Sequence, residues 1–123
     1  MITLTADEVQ YIYDTLTTKN INEERTLEER VLSLELSRIR DEYSVPEERA
    51  AAIAEFIISK RIFPERNTSV GLLALLTMLE LNRIKLSYTQ SELSILGNSV
   101  QAGTYQHDDI CQWILDHKLA RQP

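Results

Sequence analysis

Apolar residues recur three and four positions apart along most of this chain, and polar stretches divide that rhythm into about six segments. Such spacing lines one face of a 3.6-residue repeat, so each segment predicts an amphipathic helix. The first begins at Thr5-Ala6-Asp7-Glu8, where Thr and Glu have capping-box spacing and Leu4 and Val9 are placed to staple across it. Val9, Ile12, Tyr13 and Leu16 form its stripe. A polar connection runs through Glu24, and Thr26-Leu27-Glu28-Glu29 repeats the capping signature ahead of Leu32, Leu36, Ile39 and Tyr43. In the third segment Pro46 suits a first helical turn, and Ser44 is positioned to cap it with Glu47 three residues on. Ala50-Ala51-Ala52-Ile53-Ala54 then presents small residues where another helix can approach, and Phe56, Ile57 and Ile58 carry the apolar character towards Lys60. Pro64 stops the pattern by removing a backbone donor and driving Phe63 towards extended geometry.

Residues 70–81 are apolar on nearly all sides, which predicts a helix surrounded by others, with Gly71 permitting close packing and Asn82 as a left-handed stop. Thr89-Gln90-Ser91-Glu92 is a third capping box, and Gly97 or Gly103 ends the helix it starts. The last stripe is Ile110, Trp113, Ile114 and His117 or Leu119, with Asp108 and Asp109 in the first turn and Lys118 in the last, as the helix dipole favours. The expectation is all-α, a compact bundle of about six helices.

Composition narrows this further. A length of 123 residues predicts a single domain spanning 1–123, and three Gly with three Pro leave few interruptions for a turn-rich β fold. No stretch approaches the roughly 18 uninterrupted apolar residues of a membrane span, and the first residues lack the basic-then-apolar order of a leader, so a cytoplasmic protein is expected. The lone Cys111 has no cysteine to pair with inside the chain and reads as a small buried hydrophobe. The net charge of −6 argues against direct nucleic-acid binding. Acids crowd the first third, at Glu23, Glu24, Glu28, Glu29, Asp41, Glu42, Glu47 and Glu48, whereas Lys60, Arg61, Arg66, Arg83 and Lys85 bracket the apolar helix. That distribution predicts either a cationic cleft on an acidic body or ordinary solvated faces.

The chemistry concentrates in Arg61-Ile62-Phe63-Pro64-Glu65-Arg66-Asn67, which feeds directly into the apolar helix. The first N–H groups of a helix lack internal partners and carry partial positive charge, so two cations delivered there suit an anion or phosphate. Each residue also has a plainer reading. Glu65 either assists a metal or pairs with Arg61 or Arg66; Asn67 either holds phosphate or caps the helix; Arg61 binds an anion, pairs with a carboxylate or faces water. Phe63 reads as a loop anchor. The separation of His107 and His117 does not match the i, i+4 placement of two zinc ligands on one helix.

The order of these elements resembles the Fic/Doc superfamily, in particular its death-on-curing branch, whose members are toxins of toxin–antitoxin pairs. That family centres on a loop of pattern His-x-Phe-x-Asp/Glu-Gly/Ala-Asn-Gly/Lys-Arg between two core helices, and this chain reads Arg61-Ile62-Phe63-Pro64-Glu65-Arg66-Asn67-Thr68-Ser69 there. Leu4-Thr5-Ala6-Asp7-Glu8-Val9 with Tyr11-Ile12-Tyr13-Asp14, Leu79-Glu80-Leu81-Asn82, and Val100-Gln101-Ala102-Gly103 leading to Cys111-Gln112-Trp113-Ile114 are also similar to family counterparts. The resemblance implies a transferase scaffold that moves AMP or phosphate from a nucleoside triphosphate to a protein hydroxyl. In it Glu65 would assist magnesium, while Arg61, Arg66, Asn67, Thr68 and Ser69 would meet nucleotide phosphates.

Departures from the pattern alter that expectation. Arg61 stands at the position of the family's general base and stays protonated at any relevant pH, so it accepts no hydroxyl proton. Thr68 and Ser69 replace Gly or Lys and Arg, and Arg66 replaces a small residue. The leading expectation is therefore a death-on-curing-like protein that has lost transfer and keeps a binding or regulatory role towards a protein partner, with a small antitoxin as one candidate. Two alternatives stand beside it: an active transferase with a replacement base such as His107, and a non-enzymatic decoy or interaction module for an antitoxin.

Overall fold

A computed structural model describes residues 1–17 and 26–119, with side chains in the second helix from residue 29 onward. The described residues form six helices and no sheet: α1 (Ala6–Thr17), α2 (Thr26–Glu42), α3 (Pro46–Lys60), α4 (Asn67–Leu81), α5 (Gln90–Gln101) and α6 (His107–His117). A single antiparallel bridge between Leu86 and Lys118 is the one strand-like pairing among them. The all-α bundle expected from periodicity is therefore the observed architecture. Glu23 and Glu24, and the side chains of the capping signature at residues 26–28, lie outside the described residues.

Helix α3 is the hub, packed against α4 and α6 and, less extensively, α2 and α5. Its Ala50, Ala51, Ala52 and Ala54 are buried, which lets neighbouring backbones come close, while Ile53, Ile57 and Ile58 fill the core with Leu75, Met78 and Leu79 of α4. Burying each such large side chain contributes about 1.5–3 kcal/mol. Gly71 sets the α3–α4 distance: a Cβ there would lie 2.5 Å from Ile58 Cγ1 and 3.2 Å from the Ala54 carbonyl oxygen. Helix α1 packs on α4 and α2 and buries Val9 and Tyr13.

Two capping boxes form as their sequences predict. Thr5 Oγ1 accepts from the Glu8 N–H at 3.2 Å while Glu8 accepts from the Thr5 N–H at 2.9 Å; Thr89 and Glu92 make the same reciprocal pair at 3.1 and 2.8 Å. Several local expectations are corrected. Ser44 does not cap α3: Val45 is its N-cap, and the Glu47 carboxylate instead accepts from Lys118 Nζ at 2.6 Å, a bond across 71 positions that no local rule registers. Asn82 is not left-handed (φ −101°); Arg83 is, at φ 61°. The Asn82 amide is drawn to the N-terminal segment, accepting from the Ile2 N–H at 2.8 Å and donating to the Ile2 carbonyl at 2.7 Å. Helix α5 continues through Gly97 and ends before Gly103, which has φ 80°. Helix α4 is not enclosed on every side, since Leu73 and Leu81 are exposed. Cys111 is only half-buried.

Candidate functional site

The loop between α3 and α4 is held by two residues with different tasks. Phe63 is buried and stacks on Tyr13 of α1, with ring centroids 4.4 Å apart and planes 9° from parallel, which fixes the loop's midpoint to the core. Asn67 closes the loop on itself: its side-chain oxygen accepts from the Phe63 N–H at 2.9 Å and its amide nitrogen donates to the Phe63 carbonyl at 2.8 Å. Asn is the residue type that supplies both an acceptor and a donor at that reach. Both functional ends of Asn67 are thus engaged by backbone, and the N-cap position belongs to Arg66.

Arg61 and Arg66 bound the loop, and both adopt left-handed backbone geometry, at φ 48°, ψ 54° and φ 62°, ψ 24°. A side chain in that region crowds its own carbonyl, which is why glycine is favoured there. The first bond of α4 runs from the Val70 N–H to the Arg66 carbonyl at 2.9 Å, and no side chain caps the helix. The N–H groups of Asn67, Thr68 and Ser69 therefore precede the helical ladder as donors for an external acceptor.

These residues wall an open cleft of about 500 Å3, with Ile58 and Phe63 as its apolar part and Gln101 arriving from the end of α5. Arg61, Glu65, Arg66, Asn67, Thr68 and Ser69 all line it. Thr68 Oγ1 donates to Gln101 Oε1 at 3.1 Å. Gln101 was not among the expected site residues, because its arrival depends on how closely α5 approaches α4. Gly97 sets that approach: a Cβ there would lie 2.8 Å from both Leu72 Cδ1 and Thr68 Cγ2.

Arg61, Glu65 and Arg66 are exposed, and among the described residues no ion pair joins Glu65 to either arginine. The cleft therefore combines two cations, one carboxylate and the positive end of a helix, an arrangement suited to an anion. Glu65 is the sole acidic residue lining it, and the described residues contain no group of three or more His, Cys, Asp or Glu able to hold a metal. One carboxylate fits magnesium only when phosphate oxygens and waters complete the octahedron, as in a nucleotide complex.

Neither histidine lines the cleft. His107 stacks on Tyr43, with centroids 4.6 Å apart, and its Nε2 lies 3.5 Å from Cys111 Sγ. His117 bridges α6 and α5, with Nδ1 2.7 Å from the Trp113 carbonyl and Nε2 2.9 Å from Glu92. Burial, reinforced by Glu48, Asp108 and other carboxylates, pushes the Cys111 thiol up to about 11, so it is not a ready nucleophile. In comparisons with known proteins, no family model matches the chain and no curated protein matches it.

Proposed function

We propose that this chain is a Fic/Doc-type, death-on-curing-like domain that binds nucleotide phosphates with magnesium in the 61–69 cleft without transferring them, and so serves a binding or regulatory role. The observation that carries this reading is the pairing of Arg61 and Arg66 with an uncapped helix start in one cleft that contains no histidine. Phosphoryl and nucleotidyl transfer depend on positioning, charge stabilisation and a residue that orients or deprotonates the acceptor hydroxyl. Charge and helix donors are present, whereas the base position is held by a permanent cation. Arg61, Arg66, Thr68 and Ser69 would meet the phosphates, Glu65 would assist magnesium, and Phe63 with Asn67 would keep the loop in shape.

The test is thermal unfolding with magnesium and ATP, ADP or pyrophosphate, paired with labelled nucleotide and cell extract. Ligand at about 100 times its Kd stabilises by about 2.7 kcal/mol, which for a domain of this size is a shift of several degrees. Arg66→Ala is expected to reduce the shift, and no extract protein is expected to take up label. Robust labelling abolished by Glu65→Ala would establish the active transferase instead, and an absent shift at millimolar nucleotide would remove the nucleotide reading.

A second reading, a decoy for a small antitoxin, is favoured by an apolar groove at the far end of α4. Leu76, Ile84, Leu86, Tyr88 and Leu119 line about 540 Å3 there, together with Glu80, Arg83 and Lys85. A stable stoichiometric complex with the product of a neighbouring antitoxin-like reading frame, weakened by Leu76→Asp, would support it.

A further inference from the structure

A second cavity, of about 350 Å3, lies between α2, α3 and the turn joining α5 to α6, and shares no lining residue with the anion cleft. Three aromatic rings line it: Tyr43, Phe56 and Tyr105, each partly buried with surface still open to the cavity. Tyr43 is held in place by its stack against His107. On α3, Ala52, Glu55, Phe56 and Ser59 fall at i, i+3, i+4 and i+7, one helical face, and the small Ala52 leaves room between the rings.

Two carboxylates, Glu35 and Glu55, and two cations, Arg38 and Lys60, line this cavity. Arg38 is held by Glu35 at 2.8 Å and by Glu42, so its charge is met within its own helix. Glu55 is half-buried and Lys60, at the end of α3, is exposed, and neither makes an ion pair among the described residues. An unpaired carboxylate among aromatic faces favours a cation with a weakly hydrated, flat or alkylated surface, because ring quadrupoles and the carboxylate both attract it.

We propose that this cavity binds an organic cation, a guanidinium or alkylated ammonium group, with its charge on Glu55 and its faces against Tyr43, Phe56 and Tyr105. The group arrives either free or at the end of a peptide side chain. Titration calorimetry of the full chain tests this with N-acetyl-arginine methylamide, an arginine-centred peptide, the uncharged citrulline analogue and adenosine. The arginine compound is expected to bind saturably, and the citrulline analogue about tenfold or more weakly. Glu55→Gln is expected to weaken arginine binding about tenfold, whereas Arg61→Ala leaves it unchanged. Both variants are checked for unaltered helical circular dichroism. Tighter binding of the peptide than of the free compound assigns the cation to a protein partner, and equal binding assigns it to a free molecule; either result supports the proposal. No saturable binding, equal affinity for citrulline, retention of affinity in Glu55→Gln, or occupation by adenosine in preference to arginine overturns it.

Discussion

Arg66 carries two costs that a glycine at the same position would not. Its left-handed backbone (φ 62°) costs about 1 kcal/mol or more in a residue with a Cβ, and its side chain occupies the edge of a cleft that a bare backbone would leave open. Strain of this kind persists where surrounding structure over-determines it, and it gathers at binding sites. Arg66→Gly is therefore expected to raise stability by about 1 kcal/mol in urea unfolding, while shrinking the thermal shift produced by nucleotide. A loss of stability would show that the arginine side chain holds the loop by contacts rather than straining it. The loop's shape depends on Asn67 and Phe63 instead, and these were only partly legible. The aromatic in a polar loop pointed to an anchor, and Tyr13 as its stacking partner comes from α1, fifty positions away in the chain. For Asn67 both local readings, N-cap and phosphate ligand, ignored the option the structure takes, a two-bond clasp on the Phe63 backbone.

Two glycines, Gly71 in α4 and Gly97 in α5, decide how near the neighbours of α4 come. Alanine is the better helix former by about 1 kcal/mol, yet at position 71 its Cβ would press on Ile58 and on the backbone oxygen of Ala54. Gly71→Ala is expected to destabilise by a net 1–2 kcal/mol or so, read as a lower urea midpoint. Gly97→Ala meets only the ends of the Leu72 and Thr68 side chains, so its effect on stability is smaller and its displacement falls on the cleft. Equal loss in both variants would indicate that the α3–α4 contact yields as easily as α4–α5. Close packing at Gly71 was readable, because a glycine in an otherwise apolar helix has few other reasons to be there. The partial exposure of α4 was not, since composition reports that a helix is apolar without saying how many neighbours reach it.

Across the whole molecule, the C-terminal end of α6 fastens three parts of the fold. Lys118 reaches Glu47 on α3, the Leu86–Lys118 bridge ties in the segment after α4, and His117 joins α6 to α5. Both His117 ring nitrogens face acceptors, the Trp113 carbonyl and the Glu92 carboxylate, and only the imidazolium has two N–H groups to meet both. The Trp113 carbonyl, followed by Glu92, raises the His117 pKa above its ordinary value, and the Trp113 ring stacks on it at 4.1 Å. A raised folded-state pKa means that the added stability is fully present below about pH 6.5, the unfolded value, and is lost as pH rises through the folded one. The Tm difference between the native chain and His117→Gln is therefore expected to be largest near pH 5.5 and to shrink by about pH 8, measured by circular dichroism. A difference that grows with pH would show that the neutral ring makes the stabilising contact.

The sequence by itself determined the helical class, the number of helices and most of their starts. Hydrophobic periodicity and the Thr5–Glu8 and Thr89–Glu92 caps act over three to seven positions, and nothing distant is needed to set them. It also marked the 61–69 loop, because cations, a carboxylate and an amide ahead of an apolar helix are visible in order. Only the tertiary structure decided which groups share a cleft. Gln101 meets Thr68 across thirty-three positions, Glu47 meets Lys118 across seventy-one, and Glu55 lines one cavity with rings from three separate segments. Those meetings depend on how closely helices pack, which glycines and alanines on facing surfaces set jointly, and no single segment carries that distance in its own pattern.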